Sequence, residues 1–246
     1  MGIDEFSKIL DALQGKTKFL YYHLMGEPLT HPELTRFLTL AKKCEFKSVL
    51  TTNGTLLDKR GAEIIRAGVH KVSISVHSFE DGTEEDFLRY MGKIITFSEL
   101  ASRDGVIVVL RLWNKGHDNG LNDKVYAVLR ERLVGEWAEN TRGIRIRDKL
   151  HLEWGDRFAW PDLDEEDCGD RMTCYGLNDH FGILADGTVV PCCMDSDGVI
   201  NLGNIFTDDL DEVLNSPRAV AIKDGFSAHR ATEALCRKCG YARRFK

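Results

Sequence analysis

The 246-residue sequence has no run of 18 consecutive apolar residues and no opening of basic, then apolar, then small residues. The first absence predicts a chain without a membrane-spanning helix, the second a chain without a secretion signal. The expected compartment is the cytoplasm, with no membrane partner. Positive charge is also in short supply: 33 Lys and Arg stand against 39 Asp and Glu, a net charge of −6. A broad basic footprint is excluded, and with it the obvious case for a nucleic-acid partner. Low-complexity tracts and repeats of solenoid period are missing too.

What is present is a globular composition. At 43% hydrophobic residues the chain can bury one large core, or one core with a small satellite. Seven cysteines, an odd number in a chain read as cytosolic, favour reduced thiols and metal binding over disulfides.

Ile3, Phe6, Ile9, Leu10 and Leu13 fall at helical spacing, so the chain opens on an amphipathic helix over 3–14. A nearly continuous apolar strand over 18–24 follows and ends in Met25-Gly26-Glu27-Pro28. Alternation then continues: helix 32–43, strand 47–51, helix 58–67, strand 70–76, helix 84–101, strand 106–112, helix 121–137 and a last strand over 143–152. Strand and helix taking turns predict an α/β fold, a parallel sheet or barrel with helices outside it. In such folds chemistry gathers at the C-terminal ends of the strands. The polar clusters Gly26-Glu27, Asn53-Gly54, Ser75 to Ser78 and Arg111 to Asn114 fall there. Arg111, inside an otherwise apolar strand, calls for an anionic partner or a place at the mouth of the sheet.

An acidic stretch over 154–170, broken by Pro161, marks the boundary between a domain over 1–153 and a cysteine-bearing domain over 154–246. In the second, two strands over 181–185 and 188–190 read as a hairpin turned at Asp186-Gly187. The hairpin carries Cys192 back toward Cys174, and Cys236-Arg237-Lys238-Cys239 adds a Cys-x-x-Cys pair. Four thiols from three places in the chain suit a four-thiolate site for zinc or an iron-sulfur cluster. Strand alternation would turn Cys193 away from Cys192, which leaves it outside the set. Cys44 reads as core, and Cys168 has no assignment.

Together these motifs resemble the radical S-adenosylmethionine enzymes that carry a C-terminal auxiliary-cluster domain of the SPASM or twitch type. Gly26-Glu27-Pro28 is similar to the family's Gly-Gly-Glu-Pro motif, with Met25 in place of the first glycine. Cys174, Gly187, Cys192 and Cys236-x-x-Cys239 are similar to its single-cluster auxiliary pattern. The resemblance implies a partial (β/α)6 TIM-like barrel without its first strand, followed by a small cysteine-rich hairpin and helix domain. It implies that Gly26, Glu27, Pro28, Asn53, Ser75 and Arg111 bind S-adenosylmethionine, and that Cys174, Cys192, Cys236 and Cys239 hold an auxiliary [4Fe–4S] cluster. It further implies hydrogen abstraction from a peptide or small-molecule substrate by a 5′-deoxyadenosyl radical, with an electron donor such as flavodoxin or ferredoxin. The family's Cys-x-x-x-Cys-x-x-Cys loop, which holds a second [4Fe–4S] cluster, has no counterpart among these seven cysteines. The expectation is therefore an N-terminally truncated, inactive chain. The competing reading is a non-catalytic α/β protein whose four cysteines bind zinc.

Overall fold

The computed structural model describes residues 1–246 apart from Leu24, Glu80 and Lys246, and the side chain of Phe245. The chain divides into two compact units, Gly15–Arg157 and Met1–Gln14 together with Phe158–Lys246.

The first unit is built on a seven-stranded sheet. Strands β1 (Phe19–Tyr22), β2 (Lys47–Thr52), β3 (Lys71–Ser75) and β4 (Ile107–Lys115) run parallel to one another. β5 (Ala138–Asn140), β6 (Gly143–Arg147) and β7 (Leu150–Asp156) complete it in the order β1-β2-β3-β4-β7-β6-β5. β7 pairs parallel with β4, whereas β6 and β5 are antiparallel additions. Helices α2 (Leu34–Lys43), α3 (Leu57–Arg66), α4 (Glu84–Arg103) and α5 (Leu121–Arg132) link the parallel strands.

One face of the central strands packs under these helices. Leu50, Val72, Ile74, Val108, Leu110, Leu112, Leu150 and Leu152 occupy alternate strand positions and share a buried core with Ile64, Met91, Ile94 and Leu129. That period-two selection turns the intervening residues, among them Ser73, Ser75, Arg111 and Glu153, toward the opposite face. The mixed α/β sheet is the partial barrel that the resemblance implies. β1 is its edge strand, and Phe19 and Tyr21 are exposed there. The predicted last residue of that strand, Leu24, lies outside the described residues.

Two expectations need correction. Residues 143–152 form a hairpin, β6 and β7, instead of one strand. It turns at Asp148-Lys149 with Lys149 at φ 62, and an Asp-Lys pair is neither the Asn-Gly nor the Asp-Gly that announces such a turn. The helix expected over 121–137 stops at Arg132, and Leu133 takes an extended conformation. Beyond it Trp137 adopts φ 54, and Gly135 lies so close to Ile146 that an added Cβ would sit 2.0 Å from its carbonyl oxygen. Tertiary packing of β5 on β6 overrides helical propensity there.

The second unit contains α1 (Ile3–Leu13), which buries Phe6, Ile9, Leu10 and Leu13. A three-stranded antiparallel sheet joins β8 (Gly182–Ile183), β9 (Thr188–Val190) and β10 (Gly203–Asn204), followed by α6 (Leu210–Leu214), α7 (Pro217–Ser227) and α8 (Ala234–Arg237). The β8–β9 hairpin is present, with a loop one residue longer than the two-residue turn expected. The Leu184 N–H donates to Thr188 O at 2.9 Å and the Gly187 N–H to Leu184 O at 3.0 Å. Ala185, Asp186 and Gly187 therefore form the loop, and Gly187 takes the left-handed φ of 88 that a three-residue hairpin needs. The third strand, β10, is too short to leave a sequence signal.

Gly143 tests the hairpin that the sequence hides. It sits at φ 154, and a Cβ there would lie 2.1 Å from the Leu152 carbonyl oxygen. Gly143→Ala is expected to lower stability by about 2 kcal/mol or more. A denaturant midpoint equal to that of the wild type would contradict the tight pairing of β6 with β7.

Candidate functional site

In the sheet unit the predicted residues meet at the C-terminal ends of adjacent parallel strands. Gly26 takes φ 90, a left-handed conformation that favours glycine, and turns the chain after β1. Glu27 then points its carboxylate at the tip of β2. Its Oε1 accepts from the Thr52 hydroxyl at 2.7 Å and the Leu29 N–H at 3.0 Å, and its Oε2 accepts from the Asn53 N–H at 2.7 Å. Pro28 opens the short 3₁₀ turn that supplies the Leu29 donor.

Asn53 folds its own side chain back, accepting from the N–H and hydroxyl of Thr55 at 3.0 and 2.7 Å. Its carbonyl accepts from the Tyr90 hydroxyl at 2.7 Å. The same hydroxyl lies 3.5 Å from the Ser75 carbonyl at the end of β3. Ser75 is in register with Arg111 on β4, whose guanidinium lies over the Trp113 ring at 4.5 Å. Gly26, Glu27, Pro28, Asn53, Ser75 and Arg111 thus share one edge of one sheet.

Tyr90 is the member that sequence reasoning missed. Tyr90 hides in the apolar face of α4 beside Phe87, Met91 and Ile94. Burial first, and then the nearby Glu27 charge, push its hydroxyl far above the ordinary tyrosine value, so it stays a donor. His77 is a structural histidine. Its Nδ1 lies 3.0 Å from Arg111 O and 3.3 Å from Trp113 N, and burial lowers its pKa below 6.5.

In the cysteine unit a cavity of about 180 Å³ is lined by Cys174, Cys192, Cys193, Cys236 and Cys239. Cys174 precedes the hairpin, Cys192 follows it, and Cys236 and Cys239 flank the end of α8, where the Cys239 N–H donates to Cys236 O at 3.2 Å. Met172, Met194, Ile200 and Leu235 supply apolar wall. Burial first, then the neighbouring thiols, push Cys192 up to about 12 and raise Cys236 further. Burial also raises Cys174 and Cys239. These thiols are protonated at neutral pH when empty, and a metal entering the cavity would displace their protons.

Cys193, which strand alternation would turn away from Cys192, lines the same cavity. β9 ends at Val190, and Pro191 to Asp195 bend around the cavity, so strand alternation no longer applies. Asp195, unnoticed in the sequence, is 2% exposed and holds this bend, accepting from the Val199 and Ile200 N–H groups at 2.9 and 2.8 Å. Cys168 is exposed beside Arg243, outside the cavity lining, and Cys44 caps α2 in the other unit.

The donor set fits a polynuclear cluster. Among the described residues no three His, Cys, Asp or Glu side chains are placed to clasp one metal ion. The five thiols instead surround a volume, as a cuboidal iron-sulfur group with four thiolate ligands requires.

Glu27→Gln would turn an amide NH2 toward one of three N–H or O–H donors. The expected cost is about 1–3 kcal/mol, with faster hydrogen exchange at the Asn53 amide; unchanged stability and exchange would contradict the network. For His77, the unfolded chain takes up a proton at higher pH than the fold does. Its contribution is complete above 6.5 and is lost as pH falls toward the lowered folded value. His77→Asn should therefore lose less stability than the wild type between about pH 7.5 and about pH 5.5. Equal losses would remove His77 as a source of the acid sensitivity.

Residues 1–102 match the radical SAM superfamily, and residues 174–240 match SPASM, an iron-sulfur cluster-binding domain. No curated protein matches the sequence. Among solved structures, BtrN in complex with AdoMet and 2-DOIA is similar over 97% of this chain and 80% of its own, with TM-score 0.59 and 16% identity. An open conformation of BtrN gives TM-score 0.58 at 15% identity over 97% and 79%. Native anSMEcpe with bound AdoMet gives 0.57 at 17% over 100% and 81%. At these identities the likeness is one of fold. S-adenosylmethionine and [4Fe–4S] clusters are the cofactors that the two domain families imply. The chain belongs to the radical S-adenosylmethionine superfamily and carries a C-terminal SPASM domain.

Proposed function

We propose that the strand-tip network binds S-adenosylmethionine and that Cys174, Cys192, Cys236 and Cys239 hold an auxiliary [4Fe–4S] cluster. Both sites would serve an oxidoreductase that abstracts hydrogen from a peptide or small-molecule substrate. The observation that carries the reading is the Glu27 carboxylate. Three donors occupy it, and a carboxylate offers about four acceptor positions, so one remains for a cationic amino group. Asn53 and Ser75 lie along the same edge for a ribose, and Arg111 offers a cation for a carboxylate. BtrN and anSMEcpe, which share the fold, are each described with bound AdoMet.

S-adenosylmethionine, when bound and reduced, supplies a 5′-deoxyadenosyl radical for hydrogen abstraction. The residues of this chain bind and orient it: Glu27 receives the amino group, and Tyr90 holds the Asn53 backbone in place. The thiols fix the auxiliary cluster, and Asp195 shapes the bend beside it. Electrons would come from a flavodoxin or ferredoxin in the cytoplasm. Among the described helices none is long and apolar enough to cross a membrane.

By sequence the barrel segment would span 1–153 and the cluster domain 154–246, whereas the compact units group Met1–Gln14 with Phe158–Lys246. The seven cysteines contain no Cys-x-x-x-Cys-x-x-Cys spacing, so these 246 residues bind the cofactor without cleaving it reductively. Zinc at the four thiols is the weaker reading, because the thiols enclose a cavity instead of a point.

Anaerobic reconstitution with iron and sulfide should give a coloured protein. Cys174→Ala should lose its iron and visible absorption, while Cys44→Ala keeps both. Full iron in Cys174→Ala would overturn the ligand assignment. With dithionite, the 246-residue chain should form no 5′-deoxyadenosine, and formation above the buffer background would refute that part.

A further inference from the structure

Five thiols line a cavity where a cuboidal cluster takes four. The surplus is not evenly spread. Cys174, Cys236 and Cys239 have no other cavity cysteine adjacent in sequence, whereas Cys192 and Cys193 are consecutive residues of one bend. Pro191 through Asp195 contribute five successive residues to the lining, so the chain wraps the cavity here. The far end of this bend is fixed by Asp195, whose two oxygens hold Val199 and Ile200. Cys192 and Cys193 both pack against the small cluster of Met194, Cys239 and Ala242. The two residues therefore reach the same part of the cavity from one anchored turn.

We propose that Cys193 is an exchange ligand of the auxiliary site, taking the iron that Cys192 holds. The inference rests on the reading that this cavity houses a cluster. In the exchange the iron bond to Cys192 sulfur breaks and one to Cys193 sulfur forms. The proton of the Cys193 thiol passes to the released Cys192 thiolate, and neither iron nor sulfur changes oxidation state. The site then has two ways of completing its fourth ligand position, and switching requires movement within one bend.

Alanine variants test this, because alanine, unlike serine, offers iron no oxygen. The full-length chain is reconstituted anaerobically with iron and sulfide, and iron, sulfide and visible absorption are measured. Cys193→Ala should keep its iron and sulfide. Cys192→Ala should keep its iron with a shifted visible spectrum, and the double variant should lose it. Cys174→Ala separates the two readings: iron loss there leaves the ligand reading standing, and full iron removes it. Loss of iron in Cys192→Ala to the level of the double variant, or in Cys193→Ala alone, overturns the exchange. A second measurement needs no variant. In loaded wild type, anaerobic alkylation followed by peptide mass analysis should label Cys192 and Cys193 each in part. Complete labelling of Cys193 with full protection of Cys192 overturns the proposal.

Discussion

The strand-tip edge depends on one carboxylate. Parallel strands end with their carbonyls and next loops pointing the same way, and nothing in the ladder itself joins one loop to the next. Glu27 makes that join. It leaves the turn after β1 and takes the Thr52 hydroxyl and Asn53 N–H at the end of β2, together with Leu29 in its own turn. From Asn53 the connection passes through Tyr90 on α4 to Ser75 at the end of β3. Charge-assisted hydrogen bonds of this kind are about twice as strong as neutral ones. A cofactor amino group arriving at Glu27 would meet an acceptor already oriented, so little ordering would remain to oppose binding.

The sequence made the parallel part of the sheet legible because its strands are apolar runs and its helices show an unambiguous 3.6-residue period. Val72, Ile74, Val108 and Leu110 could hardly be read otherwise. The hairpin of β6 and β7 was hidden for a physical reason. Its turn uses Lys149 in a left-handed conformation instead of glycine or asparagine, and the cost is met by pairing on both sides. Tyr90 escaped because an aromatic residue on a helix's buried face reads as core, and it is core apart from the one oxygen that matters. Glu27 and Asn53 stood out through their neighbours, Gly26 and Gly54, whose left-handed backbone marks sharp turns at strand ends.

Cysteine spacing was legible as a set but not in its detail. Alternation is a property of extended chain, and Cys193 lies beyond the point where extension ends. Applying a two-residue period across Pro191 assigned it to the wrong side. Asp195 was invisible because an acidic residue after cysteines looks solvated. Only the fold shows that its two oxygens replace water with backbone donors of Val199 and Ile200, which is what permits a carboxylate at 2% exposure.

The cysteine unit also differs from the sheet unit in what can hold it together. Its strands have two or three residues, and two of its helices have five or fewer. Around the thiols its apolar clusters are small, one formed by Ile200, Ile222, Phe226, Ala231 and Leu235 and another by Met194, Cys239 and Ala242. Cores of that size supply little stability by themselves. Burial strongly opposes ionisation of these thiols, so the empty site holds them protonated. A cluster bound to them would displace those protons and cross-link residues 174, 192, 236 and 239. Binding energy at this site is therefore also folding energy for the segments that carry the ligands. The same bonds would close loops of 17 and 43 intervening residues, between Cys174 and Cys192 and between Cys192 and Cys236, and longer closures remove more freedom from the unfolded chain.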